Sequence, residues 1–189
     1  MISQYHLLML PWVAFIAVWA LLSLTVKRSV RRESWGSRLL VTAVIDAGIL
    51  LLFVSDLRLG PLDFQWIRAT RAPFVAGFVL TLAGIAFAIW ARLYIGRNWS
   101  SSVTIKQDHQ LIRTGPYSLV RHPIYFGLIV ASLGSAFALR QVRGLIALPI
   151  IVAGLWYKAR IEERFMEEHF GPEYQGYRRA TKALIPFVL

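Results

Sequence analysis

The 189 residues specify an all-α, polytopic integral membrane protein with about five transmembrane helices and a helical C-terminal segment. Three observations carry this. Hydrophobic residues make up 57% of the chain, charged residues only 16%, and the mean hydropathy is +0.54, whereas about a quarter of the residues of an ordinary soluble domain are charged. Five apolar runs, residues 7–26, 39–54, 73–95, 123–139 and 142–157, approach the roughly 20 residues with which a helix crosses about 30 Å of hydrocarbon. Lys and Arg, finally, gather in alternate connections between those runs.

Each element follows from its residues. The first run has no Lys or Arg in the ten residues at its start and basic residues after it, which is the wrong order for a cleavable signal peptide. The second contains Asp46, the one carboxylate inside an expected span. Such a group is costly in lipid and faces an interior or an aqueous cavity, so a hydrogen bond to a neighbouring helix and a place on a substrate tunnel are both open. The fourth and fifth runs are separated only by Arg140 and Gln141 and are expected to form a tight antiparallel hairpin, with Pro149 a candidate kink in the second arm. Gly127, Ala131 and Ser135 recur every four residues, as do Gly134 and Ala138. Small residues at that spacing point first to close helix packing. Alternation at period two is absent, which favours helices over a transmembrane barrel.

The charge pattern gives the topology. Residues 27–38 hold Lys27, Arg28, Arg31, Arg32 and Arg38, and residues 92–121 hold Arg92, Arg97, Lys106, Arg113 and Arg121. The tail from Lys158 adds six more, leaving Arg58, Arg68, Arg71, Arg140 and Arg143 for the opposite face. By the positive-inside rule the N-terminus lies outside and the C-terminus in the cytoplasm. The net charge of +11 is thus accounted for by topology and contact with anionic membrane lipids, with no nucleic acid implied. The absence of cysteine excludes a disulfide framework and a thiolate metal site. His6, His109, His122 and His169 form no recognised ligand spacing, so no metal is expected. Without any Gly-x-Gly or Gly-x-Ser-x-Gly, the Rossmann fingerprint, the phosphate-binding loop and the hydrolase elbow are all missing.

Two segments on the basic side are too particular to be mere connectors. In the first, Gly115-Pro116 demands a turn. Pro123 suits the first position of the fourth helix, which places His122 at its cap, beside free backbone N–H groups. Arg121, His122 and Tyr125 around a helix N-terminus suit an anionic or carboxylate-bearing ligand; a capping His122 and an interfacial Tyr125 explain the same residues without a ligand. The second segment starts at Lys158 and extends the fifth helix until Gly171-Pro172 stops it. Glu163, Glu167 and Glu168 read best as a solvated face with i,i+3 and i,i+4 pairs to Arg160 and Arg164, whereas Glu162 lies nearest the bilayer, one turn beyond Lys158.

The run His109-x-Leu-Ile-x-x-Gly-Pro-Tyr-x-x-Val-Arg-His-Pro-x-Tyr-x-Gly127 is followed by Glu162-Glu163, Phe170-Gly-x-x-Tyr174-x-x-Tyr177 and Ile185-Pro186. From about Ser102 onward it closely resembles the isoprenylcysteine carboxyl methyltransferase family, and related phospholipid N-methyltransferases are similar at the same places. The resemblance implies one membrane methyltransferase domain, residues 1–189, with 1–95 as helical anchor and 96–189 as the cofactor-binding part. It implies S-adenosylmethionine as cofactor, contacted by His109, Gln110, Leu111, Ile112, Tyr117, His122, Pro123, Ile124, Tyr125 and Glu162. His122 and Glu162 would position the reactants, and Lys158 or Arg160 would handle the substrate, with Lys158 standing where the family has arginine. A lysine lacks the bidentate fork of arginine. The implied acceptor is a lipophilic small molecule or prenylated carboxylate; amine or thiol acceptors of the same fold, and a non-catalytic membrane scaffold, are the alternatives.

Overall fold

The structure is a computed structural model that describes residues 3–24, 29–32, 34–54, 59–96, 99, 104–106 and 110–186. Five long helices alternate in direction: α1 (Gln4–Ser23), α2 (Trp35–Phe53), α3 (Arg71–Ile95), α4 (Pro123–Leu139) and α5 (Val142–Phe170), with the short α6 (Pro172–Ala180) after them. All but α4 and α6 are long and apolar enough to cross a membrane, and α4 is a shorter apolar helix. The five expected apolar helices are therefore all present, four of them long enough to span and the fourth in order shorter. Their outward faces carry large exposed apolar side chains, among them Leu10, Val13, Ile16, Leu39, Leu50, Val75 and Val79, as a helix in contact with lipid requires. The hairpin of α4 and α5 turns on Arg140 and Gln141 as anticipated, and α5 continues through Pro149 as unbroken helix.

Bilayer helices gain little from the hydrophobic effect between themselves and depend on close packing instead. The spine of this bundle is the crossing of α3 and α4. A Cβ added to Gly84 would lie 2.4 Å from the Ala131 nitrogen, and one added to Gly134 would lie 2.5 Å from the Thr81 nitrogen. The small residues of α4 thus seat backbone against backbone, and a matching series on α3 receives them. A buried polar node crosses three helices here: Trp12 Nε1 donates to Ser135 Oγ at 3.0 Å, and Ser135 Oγ lies 3.2 Å from Thr81 Oγ1. On the other side, α2 packs on α5 through Gly48 against Ile151 and Gly154 against Ile45.

Each end of the bundle is stitched by irregular chain. At the end where α1 and α3 finish, β1 (Ser29–Arg32) and β2 (Thr104–Lys106) pair as an antiparallel ribbon with an irregularity between Ser29 and Arg31. The all-helical expectation holds for the bundle, to which this short ribbon is added; its partners are more than seventy residues apart and carry no period-two signal. Arg92, 1% exposed, ties the same end together by donating to the carbonyls of Gly96 and Leu22 at 2.8 and 2.7 Å, under the ring of Trp99. At the opposite end, a 3₁₀ turn (Gly60–Asp63) leads into Phe64 and Trp66, whose backbones bond to Val142 and Arg140. Asp46 departs from both expectations for it: it lies exposed on the outer side of α2 rather than bonded to a neighbouring helix or turned inward.

Candidate active site

With 29 residues, α5 is about 43 Å long at roughly 1.5 Å per residue and outruns the hydrocarbon. Its last turns stand beside the N-terminus of α4, and the two motif segments meet there. The arrangement begins with the chain entering α4. Gly115 takes a φ of +60°, and its missing Cβ leaves room for Tyr94, whose ring carbons would stand 2.6 Å from one. The 3₁₀ turn Gly115–Ser118 buries Tyr117, and the amides of Arg121 and His122 then bond to the carbonyls of Lys182 and Ala183 at 2.8 and 3.0 Å. The C-terminal segment thereby fixes the approach to α4. His122 occupies the cap position but makes no side-chain capping bond.

Its imidazole lies instead between two carboxylates. Nδ1 is 3.3 Å from Glu162 Oε2 and Nε2 is 3.4 Å from Glu163 Oε1. Nε2 makes no hydrogen bond among the described residues, so its approach to Glu163 is a charge contact and not a bond. Burial, the largest influence, opposes the imidazolium, but the two facing carboxylates outweigh it and raise the His122 pKa. Tyr125 stacks on the His122 ring at 5.4 Å between centroids and donates its hydroxyl to Glu162. Lys158 Nζ sits 5.6 Å over the Tyr125 ring. Glu162 keeps 22% of its side chain exposed, whereas that of Glu163 is 4% exposed.

Glu163 corrects the solvated-face reading. It accepts from Arg121 Nε at 2.8 Å and Nη2 at 2.5 Å, while Arg121 Nη1 donates to the carbonyls of Arg178 and Thr181. Arg121, its side chain 8% exposed, is thus a structural brace and not a surface cation awaiting a ligand. Glu167 holds to expectation only in part, since it pairs with Arg178 of α6 and not with Arg164. Burial alone would raise both carboxylates of the centre. His122, with Lys158 and Tyr125, lowers Glu162, and His122 with Arg121 lowers Glu163 to about 2.

Of the residues implied by resemblance, the structure brings His122, Tyr125, Lys158 and Glu162 into one cluster. Ile112 joins Tyr117 and Ile124 in an apolar group with Tyr125, Ala91, Trp19 and Trp99. Pro123 is buried at the start of α4, Leu111 is half-buried, and Gln110 is exposed. Arg160 is turned outward, 3.8 Å from Glu163 Oε2 and over Trp156. His109 lies outside the described residues.

These shifts give a pH profile. Glu162 and Glu163 hold protons less tightly in the folded chain, so their stabilisation is fully present above pH 4.5, the ordinary value, and is lost as pH falls. His122 holds its proton more tightly when folded, so its share is complete below pH 6.5 and is lost as pH rises through the raised value. Melting of the detergent-solubilised protein is therefore expected to peak between these limits, with the alkaline decline absent in His122→Gln. A wild-type profile that stays flat above pH 6.5 would contradict the paired imidazolium.

These features define a polytopic helical membrane protein with a buried ionic centre where two chain segments meet at one end of the bundle. The chain belongs to the phospholipid methyltransferase family, whose model matches residues 72–173. The protein-S-isoprenylcysteine O-methyltransferase of Saccharomyces cerevisiae is 29% identical over 77% of this chain and 61% of the yeast protein. The cobalt-zinc-cadmium resistance protein CzcN of Cupriavidus metallidurans is 32% identical over 60% of this chain and 51% of its own. The fold is similar to that of the eukaryotic intramembrane Ras methyltransferase ICMT, with a TM-score of 0.57 at 24% identity, covering 78% of this chain and 52% of that one. The chain thus spans about half to three-fifths of the proteins it matches. The likeness to isoprenylcysteine carboxyl methyltransferases read from the motifs is borne out by these relatives.

Proposed function

We propose that this protein is an S-adenosylmethionine-dependent membrane methyltransferase acting on a lipophilic carboxylate of the prenylated-cysteine class. The observation that carries this reading is the cluster of His122, Tyr125, Lys158 and Glu162, where the two motif segments meet over the apolar group around Tyr117. The donor set suits the cofactor: the partly exposed Glu162 carboxylate for ammonium or ribose hydroxyls, the Lys158 cation for a carboxylate, and Ile112, Tyr117 and Tyr125 for an aromatic base. The buried Glu163 Oε2 has no hydrogen-bond partner, which leaves this corner of the centre with acceptor capacity in hand. When bound, the sulfonium supplies an activated methyl with a neutral leaving group.

The electrostatics favour the acceptor class. Against the effect of burial, the pKa of Glu162 is lowered, chiefly by the facing His122, which makes its carboxylate a weaker base than usual and a poor acceptor for a proton from an amine or phenol. A carboxylate needs no base. Catalysis then reduces to holding donor and nucleophile in line, which is the task of Glu162, Tyr125 and Lys158. The positive-inside pattern supports a cytoplasmic face for this end and an outside N-terminus, which the odd number of spans permits.

The test is calorimetric titration of S-adenosylmethionine and its demethylated product into detergent-purified protein. Wild type is expected to bind both, with Glu162→Ala and His122→Ala each weakening affinity about tenfold or more, the loss of one charge-assisted contact. A farnesylated cysteine should then be methylated in preference to an aminophospholipid. Well-folded wild type that binds neither nucleoside would leave a scaffold and overturn the reading; preference for the amine would overturn the acceptor class alone.

A further inference from the structure

The end of the bundle opposite the ionic centre holds a second built site. There the first turn of α1, the ends of α2 and α4 and the starts of α3 and α5 enclose a cleft of about 520 Å³. Its polar wall includes Gln4, His6, Arg140 and Arg143, and its apolar wall includes Phe53 and Phe74. The two arginines, 9% and 3% exposed, are both withdrawn from solvent. A buried charge is costly unless it is paired.

The pairing of these two is incomplete. Arg143 donates to the Gln141 side chain and the Val54 carbonyl, and Asp63 Oδ1 stands 3.7 Å away. Arg140 has no ion pair among the described residues. Its Nη1 donates to the Thr70 carbonyl at 3.1 Å, its Nη2 reaches Gln4 Oε1 at 3.4 Å, and its buried Nε has no partner. The backbone adds a second observation. Arg140 adopts a φ of +62° and is the one non-glycine residue at positive φ among those described, in a helix-terminating position where glycine or asparagine is preferred. The arginine is thus kept against both its conformational preference and its desolvation.

Depth supplies the chemistry. The backbones of Phe64 and Trp66 are bonded to the turn that bears Arg140, and both rings are exposed, as aromatic residues are at the headgroup level of a bilayer. A guanidinium beside an apolar wall at that depth matches a phosphate joined to an apolar body, and the fork of arginine suits phosphate oxygens. We propose that this cleft binds a phosphate-bearing anion, either the phosphodiester of an anionic lipid or free phosphate, with Arg140 as the principal contact and Gln4 and His6 at the rim. The site is separate from the cluster at the other end and does not depend on methyl transfer.

The full chain in detergent is titrated with dihexanoyl phosphatidylglycerol, with dihexanoyl phosphatidylcholine and with inorganic phosphate, and melting is followed. A saturable rise is expected with phosphatidylglycerol or phosphate. Phosphatidylglycerol alone would identify a lipid headgroup as the ligand, and an equal response to inorganic phosphate a free anion. Arg140→Gly relieves the positive φ, so it should keep or raise the unliganded melting temperature while weakening the anion about tenfold or more. Asp56, a carboxylate just beyond α2 in the chain that lies outside the described residues, serves as the control for an acidic partner of Arg140, and Asp56→Asn is measured beside it. Undiminished binding by Asp56→Asn is expected. Absence of saturable binding in wild type, undiminished binding by Arg140→Gly, or binding that arises only in Asp56→Asn would each overturn the assignment.

Discussion

Valine in place of Gly84 is expected to destabilise the bundle by about 3 kcal/mol or more, at or above the upper end of what overpacking usually costs. An added Cβ would meet the Ala131 nitrogen at 2.4 Å, the Gly127 oxygen at 2.6 Å and the Ala131 Cα at 2.9 Å. All three are backbone atoms of α4, so no rotamer change relieves the clash, and the helices must separate. Separation would also pull Ser135 from Trp12 and Thr81, opening the polar node that links α1, α3 and α4. Gly134→Val should behave alike, because its Cβ would meet Thr81 nitrogen at 2.5 Å and Gly77 oxygen at 2.6 Å. Gly36→Ala and Gly176→Ala are the controls. Both sit in helices with nothing within 4 Å of the new Cβ, and each should gain up to about 1 kcal/mol of helix propensity. Unfolding followed in detergent decides the matter: wild-type stability in Gly84→Val would mean that α3 and α4 do not meet as described.

Much of this architecture was legible because lipid-facing helices declare themselves in composition. The five spans, the two-residue turn at Arg140 and the small-residue series of α4 all follow from local pattern. What local pattern hides is pairing across distance. The ribbon joins basic residues near 30 to residues near 105, and neither strand alternates. The outward placement of Asp46 depends on which face of α2 meets α5, and an almost uniformly apolar helix does not reveal that. At the site, His122, Tyr125 and Glu162 were found by motif, while Arg121 and Glu163 were assigned the wrong surroundings. A usable signal for Glu163 did exist. Ala147, Ile151, Leu155 and Ala159 form the buried stripe of α5 at steps of four, and the next step lands on Glu163. Charge argued for solvent, periodicity for burial, and periodicity won because Arg121 stood opposite.

That pairing yields the second large effect. Glu163→Ala is expected to cost about 3–5 kcal/mol, the range for stripping one partner from a buried ion pair. The guanidinium left behind is 8% exposed and would retain only the carbonyls of Arg178 and Thr181 as acceptors. Two consequences separate this from a simple packing defect. His122 would lose one of its two facing carboxylates, so its raised pKa should fall and the alkaline edge of the stability profile should move to lower pH. The amides of Arg121 and His122, which donate to the carbonyls of Lys182 and Ala183, should also lose that hold on the C-terminal segment, seen as faster amide exchange at Arg121 and His122. The double variant Arg121→Met, Glu163→Leu removes both charges and keeps the volume. It should recover most of the lost stability, since a buried pair replaced by apolar groups of similar size is often neutral. If its loss equalled the sum of the two single losses, the residues would be independent, and the brace between α4, α5 and the C-terminal segment would have to be sought elsewhere.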